Sequence, residues 1–103
     1  MNKVLVLSKG TSQSKSFERV IVEHTRKENL LIEWIFTNDS NMKDYLKDED
    51  IAVTLISPEM MLVEDKLKAE LDSKSLPYIV LKPVDFGLKR VEKVLPLLEP
   101  YFN

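Results

Sequence analysis

Lys3-Val4-Leu5-Val6-Leu7 runs directly into Ser8-Lys9-Gly10-Thr11-Ser12-Gln13-Ser14, and this junction decides the fold. The first five residues read as a short buried strand. The next seven form a small, hydroxyl-rich turn that opens a helix. A strand, a Gly-containing turn and a helix N-terminus make a device for holding anions, because backbone N–H groups converge there and the helix dipole adds partial positive charge. Ser8, Lys9, Gly10, Thr11, Ser12, Gln13 and Ser14 are therefore the candidate phosphate or anion contacts. The last strand position, Leu7, offers no lone pair, and the chain has no cysteine. The loop is suited to phosphate, but the obvious group to accept it is missing.

Three further apolar runs read as buried strands: Leu31–Phe36, Ile51–Ile56 and Tyr78–Leu81. Like Val4–Leu7 they are nearly continuous and rich in β-branched residues, the pattern of parallel strands covered on both faces. Helical spacing fills the intervals. Ser14–Glu28 places Phe17, Val20, Ile21 and His24 on one side. Ser40–Lys47 has Met42, Tyr45 and Leu46, with Asn38, Asp39 and Ser40 as N-cap candidates. A third helix after Pro58 aligns Met60, Val63, Leu67 and Leu71, and a fourth after Gly87 uses Val91, Val94, Leu95 and Leu98. Pro96 requires that last helix either to start late or to bend.

The alternation predicts one α/β domain over residues 1–103, a three-layer sandwich around a four-stranded parallel sheet with right-handed crossovers. Ligands of such sheets bind beyond the carboxyl ends of the strands, which gathers the loops Ser8–Ser14, Thr37–Ser40, Ser57–Glu59 and Lys82–Gly87. The two glycines, Gly10 and Gly87, are each expected to mark a tight turn.

Composition narrows the function. Fifteen basic and 17 acidic residues give a formal charge of −2, so nucleic acid is not the expected partner. No apolar run is long enough for membrane insertion. The opening residues lack a secretory pattern, and a cytoplasmic location is expected. Without cysteine there is no disulfide, thiolate metal site or thiol catalysis. One histidine and scattered acids leave no expected metal site, and no cofactor is expected. His24 reads as a half-buried structural residue near a helix C-terminus, and Lys47-Asp48-Glu49-Asp50 as a solvated turn. Leu81-Lys82-Pro83 resembles the Lys-Pro of receiver domains, but Ser8, Lys9 and Ser57 stand where those need carboxylates for magnesium.

Further motifs follow in order. The third strand ends in Ser57-Pro58-Glu59, the fourth is introduced by Leu76-Pro77, and Asp85-Phe86-Gly87 precedes Glu92-Lys93-Val94-Leu95. Together with the first turn, these resemble the IIB components of lactose/cellobiose-type bacterial sugar phosphotransferase systems, along nearly the whole chain. The resemblance implies a phosphate relay, in which a cysteine takes a phosphoryl group from a IIA partner and passes it to sugar at a membrane IIC permease. It implies IIA and IIC partners, and a partner-facing surface at Pro58, Glu59, Met61, Leu62, Asp85 and Phe86.

Leu7 occupies the position of the phosphocysteine, so the thiol relay cannot run on this chain. Ser8 is the substitute acceptor to weigh, but it lacks an evident base, and capping or loop packing is the expected role. Ser12 and Ser14 read as capping residues. Glu59 replaces a neutral amide beside the loop and adds negative charge; Lys9 pulls the other way. Whether the chain is an enzyme is left open between an impaired relay component and a non-catalytic module that docks on phosphotransferase partners. A Leu7→Cys variant is expected to carry an activated thiol if the loop is electrostatically prepared.

Overall fold

The computed structural model describes residues 1–48 and 50–103. Four strands, β1 (Asn2–Leu7), β2 (Ile32–Thr37), β3 (Ile51–Ile56) and β4 (Tyr78–Val80), form one sheet in the order β2-β1-β3-β4. Every pairing is parallel. Alternation along β1 sorts the core into two halves. Val4 and Val6 join Val53, Leu55, Phe17 and Ile21 on one face, while Leu5 and Leu7 join Ile56, Met60, Leu67 and Leu71 on the other. The first face is covered by α1 (Ser12–Lys27), α4 (Pro83–Gly87) and α5 (Val91–Leu98). The second is covered by α2 (Met42–Tyr45) and α3 (Glu64–Ser73), with a 3-10 stretch, Pro58–Val63, leading into α3. The three-layer α/β sandwich read from the sequence is the observed fold.

Boundaries differ in instructive places. Leu31 lies outside β2 and is 70% exposed; only its carbonyl is used, accepting from Asn2 N–H at 3.1 Å. The segment Lys82–Gly87, expected as a loop, is mostly the helix α4, with Pro83 in its first turn. Gly87 ends that helix, and the left-handed residue is Lys89 (φ 53°). A side chain at Gly87 would approach Gln13 Nε2 on α1 to 3.3 Å, a contact the exposed Gln13 side chain must yield to. Gly10 (φ 73°) does mark the tight turn.

Asn29, Ser75 and Lys89 are all left-handed and follow α1, α3 and α4. Each helix ends in the same paired arrangement. After α3, Leu76 N–H donates to Leu71 O at 3.0 Å and Ser75 N–H to Asp72 O at 3.0 Å. The fourth predicted helix is realised as α5, and Pro96 is exposed there on its solvent side. The stripe on α1 runs through Ser14, Phe17, Ile21 and Thr25, leaving His24 half-buried. Thr25 also anchors β2, its Oγ1 accepting from Trp34 Nε1 at 3.1 Å.

In the acidic turn, Lys3 Nζ donates to Asp48 Oδ2 at 2.8 Å, while Glu49 lies outside the described residues. The Lys3 hydrogen bond, aided by one from Asp50 N–H, holds the Asp48 carboxyl below its ordinary 3.8. A depressed carboxyl contributes stability above its ordinary value and loses it as pH falls through the folded-state value. This pair therefore belongs to the acid limb of unfolding.

Thr54 on central strand β3 is 0% exposed, and its Oγ1 has no partner among the described residues. A buried hydroxyl left unpaired costs about 1–3 kcal/mol. Thr54→Val keeps the β-branched shape and removes that atom. The expected result is a gain of about 1 kcal/mol in urea unfolding; a loss of stability would show that the hydroxyl is satisfied.

Candidate functional site

The strand order places the site. From β1 the chain moves outward to β2 on one side, and through β3 to β4 on the other, so the switch point lies between β1 and β3. Leu7 is paired in register with Ile56. The turns leaving these two strands are therefore neighbours, and residues about 50 apart in sequence meet across them.

Their meeting is a carboxylate on a loop. Glu59 Oε1 accepts from the Lys9 backbone N–H at 2.8 Å, and Glu59 Oε2 accepts from the Thr11 hydroxyl. Thr11 is the N-cap of α1: its extended backbone (φ −71°, ψ 171°) lets Oγ1 accept from Ser14 N–H at 3.2 Å. Ser14 returns the contact, donating Oγ–H to the Thr11 carbonyl at 3.0 Å. Pro58 sets the direction of the Glu59 turn, with Met60 N–H closing on Ser57 O at 3.0 Å.

These contacts occupy part of the expected ring of donors. Ser8 N–H continues the sheet to Thr37 O at 2.9 Å, Lys9 N–H holds Glu59, and Ser14 N–H holds the cap. The cap is Thr11; Ser12 is an exposed first helical residue. Gly10, Thr11 and Gln13 are exposed at the loop surface, as is Lys9. Beside them a cleft of about 170 Å³ is bordered by Lys9, Lys15, Glu18 and Asn38. Burial, reinforced by Glu59, pushes the Glu18 carboxyl up against the opposing pull of Lys15.

The remaining site residues divide by burial. Leu7 is 0% exposed, whereas Ser8, 4% exposed, borders the cleft. Met61 and Leu62 stand out at 74% and 89% exposed, and Pro58 and Glu59 are half-buried. Phe86 corrects the partner-facing reading: it is 2% exposed and packs on Phe17 with ring centroids 5.2 Å apart. Asp85 is also buried, with Arg90 NH1 4.0 Å from its Oδ1. Among the described residues no group of three His, Cys, Asp or Glu side chains is placed to hold a metal. No helix there is long and apolar enough to cross a membrane.

The burial of position 7 reverses the expectation for Leu7→Cys. A thiol in the apolar half-core of Leu5, Met42 and Met60 is raised in pKa and shielded, whatever the nearby helix contributes. The variant is expected to react with a disulfide reagent only as fast as the protein unfolds. Rapid labelling of the native state would show that position 7 opens to the loop.

Scanned against known protein families and curated proteins, the sequence matches none. Solved structures do match. The chain is similar to the cellobiose-specific phosphotransferase IIB component protein from Borrelia burgdorferi, with a TM-score of 0.79 and 19% identity, covering 99% of this chain and 92% of that one. It is also similar to the lactose-specific IIB component domain of the phosphoenolpyruvate:carbohydrate phosphotransferase system from Streptococcus pneumoniae. There the TM-score is 0.74 and the identity 13%, covering 99% and 98% of the two chains. Over essentially its whole length, this chain has the fold of the lactose/cellobiose-type IIB components.

Proposed function

We propose that this chain is a IIB-like docking module of a sugar phosphotransferase system, which binds its IIA-like and IIC-like partners in the cytoplasm without carrying phosphate. The observation that carries this reading is Leu7: where a relay needs a nucleophile, the chain has a fully buried aliphatic side chain. Ser8 does not replace it. A serine hydroxyl needs an adjacent base to act as an acceptor. Glu59 adds to the argument by holding the Lys9 amide, which an incoming phosphoryl group would otherwise use. Regulation then follows from occupancy, since a module that docks without accepting phosphate competes with one that does. The exposed Met61 and Leu62 supply apolar area for such docking, beside the turn that bears Glu59.

Incubation with phosphoenolpyruvate, the general phosphotransferase proteins and a IIA component, followed by intact mass measurement, tests the reading. The expected result is no added phosphoryl group, with IIA binding retained and weakened about fivefold or more by Met61→Ser with Leu62→Ser. A stoichiometric, IIA-dependent gain of one phosphoryl group would instead establish a relay through another acceptor.

A further inference from the structure

A hollow lies away from the loop, between α2 and α3 on the second face of the sheet. It exists because α2 is a single turn that buries only Met42, too short to close the face beside the 10-residue α3. The central hollow measures about 390 Å³ and lies between Lys43 and Lys47 on one wall and Glu70 and Lys74 on the other. It continues at one end past Lys66 and Val63, and at the other past Leu76. The result is one groove running the length of α3, about 15 Å at 1.5 Å per residue.

Its chemistry has two layers. Lys66, Glu70 and Lys74 follow one another at helical spacing along the groove side of α3, while Leu67 and Leu71 face the core. Lys43 and Lys47 repeat that spacing on the opposite wall. Leu46, Val63 and Leu76 are half-buried, leaving apolar surface at the base, while all four lysines are exposed at the rim. Among the described residues the ion pairs are Lys3 with Asp48 and Asp50, Lys68 with Glu64, and Arg90 with Asp85. The four groove lysines thus hold no carboxylate of the described residues, on a chain whose overall charge is −2. Of the acids along the groove among the described residues, Asp48 is already taken by Lys3, which leaves Glu70 and Asp39 against four positive charges.

We propose that this groove is a docking site for an acidic amphipathic helical segment of a partner protein, its apolar side on Leu46, Val63 and Leu76 and its carboxylates on the lysine rim. A nucleic acid would use the charge and leave the apolar base unfilled. A segment of two to three helical turns fits the length. The site is separate from the loop and from Met61 and Leu62, so it stands whether or not the docking function proposed above holds.

The probe is a fluorescent 14-residue peptide with leucine and glutamate at amphipathic helical spacing, compared with a counterpart carrying lysine for glutamate. Anisotropy titrations and amide shift mapping use the full chain. The expected result is saturable, salt-sensitive binding of the acidic peptide at least about tenfold tighter than of the basic one. Amide shifts are expected along residues 43–47 and 66–76, with a loss of about tenfold or more in Lys43→Glu with Lys74→Glu. These positions are exposed, so the doubly substituted chain keeps its fold, checked by circular dichroism. Equal binding of both peptides, no binding, indifference to the reversals, or shifts centred on Met61 and Leu62 would each overturn the proposal. So would displacement of the peptide by an equally tight single-stranded oligonucleotide.

Discussion

The carboxylate of Glu59, reaching from the turn after β3 to the turn after β1, is the contact around which the carboxyl end of the sheet is arranged. It joins two strand ends across the switch point of the sheet, and it presents a fixed negative charge to a loop whose composition suits an anion. Each hydrogen bond to a carboxylate at such a partly open site contributes on the order of 1 kcal/mol, modest for stability. Its larger consequence is chemical. The Lys9 amide and the Thr11 hydroxyl are already engaged, the latter also serving as N-cap of α1. A loop that holds its own carboxylate beside a buried Leu7 offers an anion one backbone donor fewer and a negative charge to face.

The same sheet geometry separates the surfaces that remain. The turn after β3 carries Glu59 toward the loop and exposes Met61 and Leu62, so the apolar knob and the closed loop belong to one end of the strands. The lysine groove runs along α3 on a face of the sheet. Its existence follows from a mismatch in length between a one-turn α2 and a 10-residue α3. The two surfaces therefore lie on different parts of the molecule.

Strand positions were legible because β-branched runs of four to six residues leave few alternatives when both faces are buried. The order of elements then implied the parallel sheet. What escaped was short or distant. Phe86 sits in a five-residue helix, where periodicity cannot show which side faces inward, and its partner Phe17 is remote in sequence. Lys82–Gly87 read as a loop because Pro83 and Gly87 look like punctuation, although both lie within the helix, Pro83 in its first turn. The choice of Thr11 over Ser12 and Ser14 as the cap depends on backbone angles that composition does not reveal. That Glu59 stands near the loop was readable from the strand ends. That it reaches Lys9 and Thr11 was not, because the contact spans 50 and 48 residues.

The most direct measurement is the amide proton of Lys9, followed by nuclear magnetic resonance in the native chain and in Glu59→Ala. A loop closed by its own glutamate requires a Lys9 amide that is shifted downfield and slow to exchange, unmoved by added inorganic phosphate, and released in the variant. A Lys9 amide that is indifferent to loss of Glu59, or that already moves with phosphate in the native chain, would contradict the account.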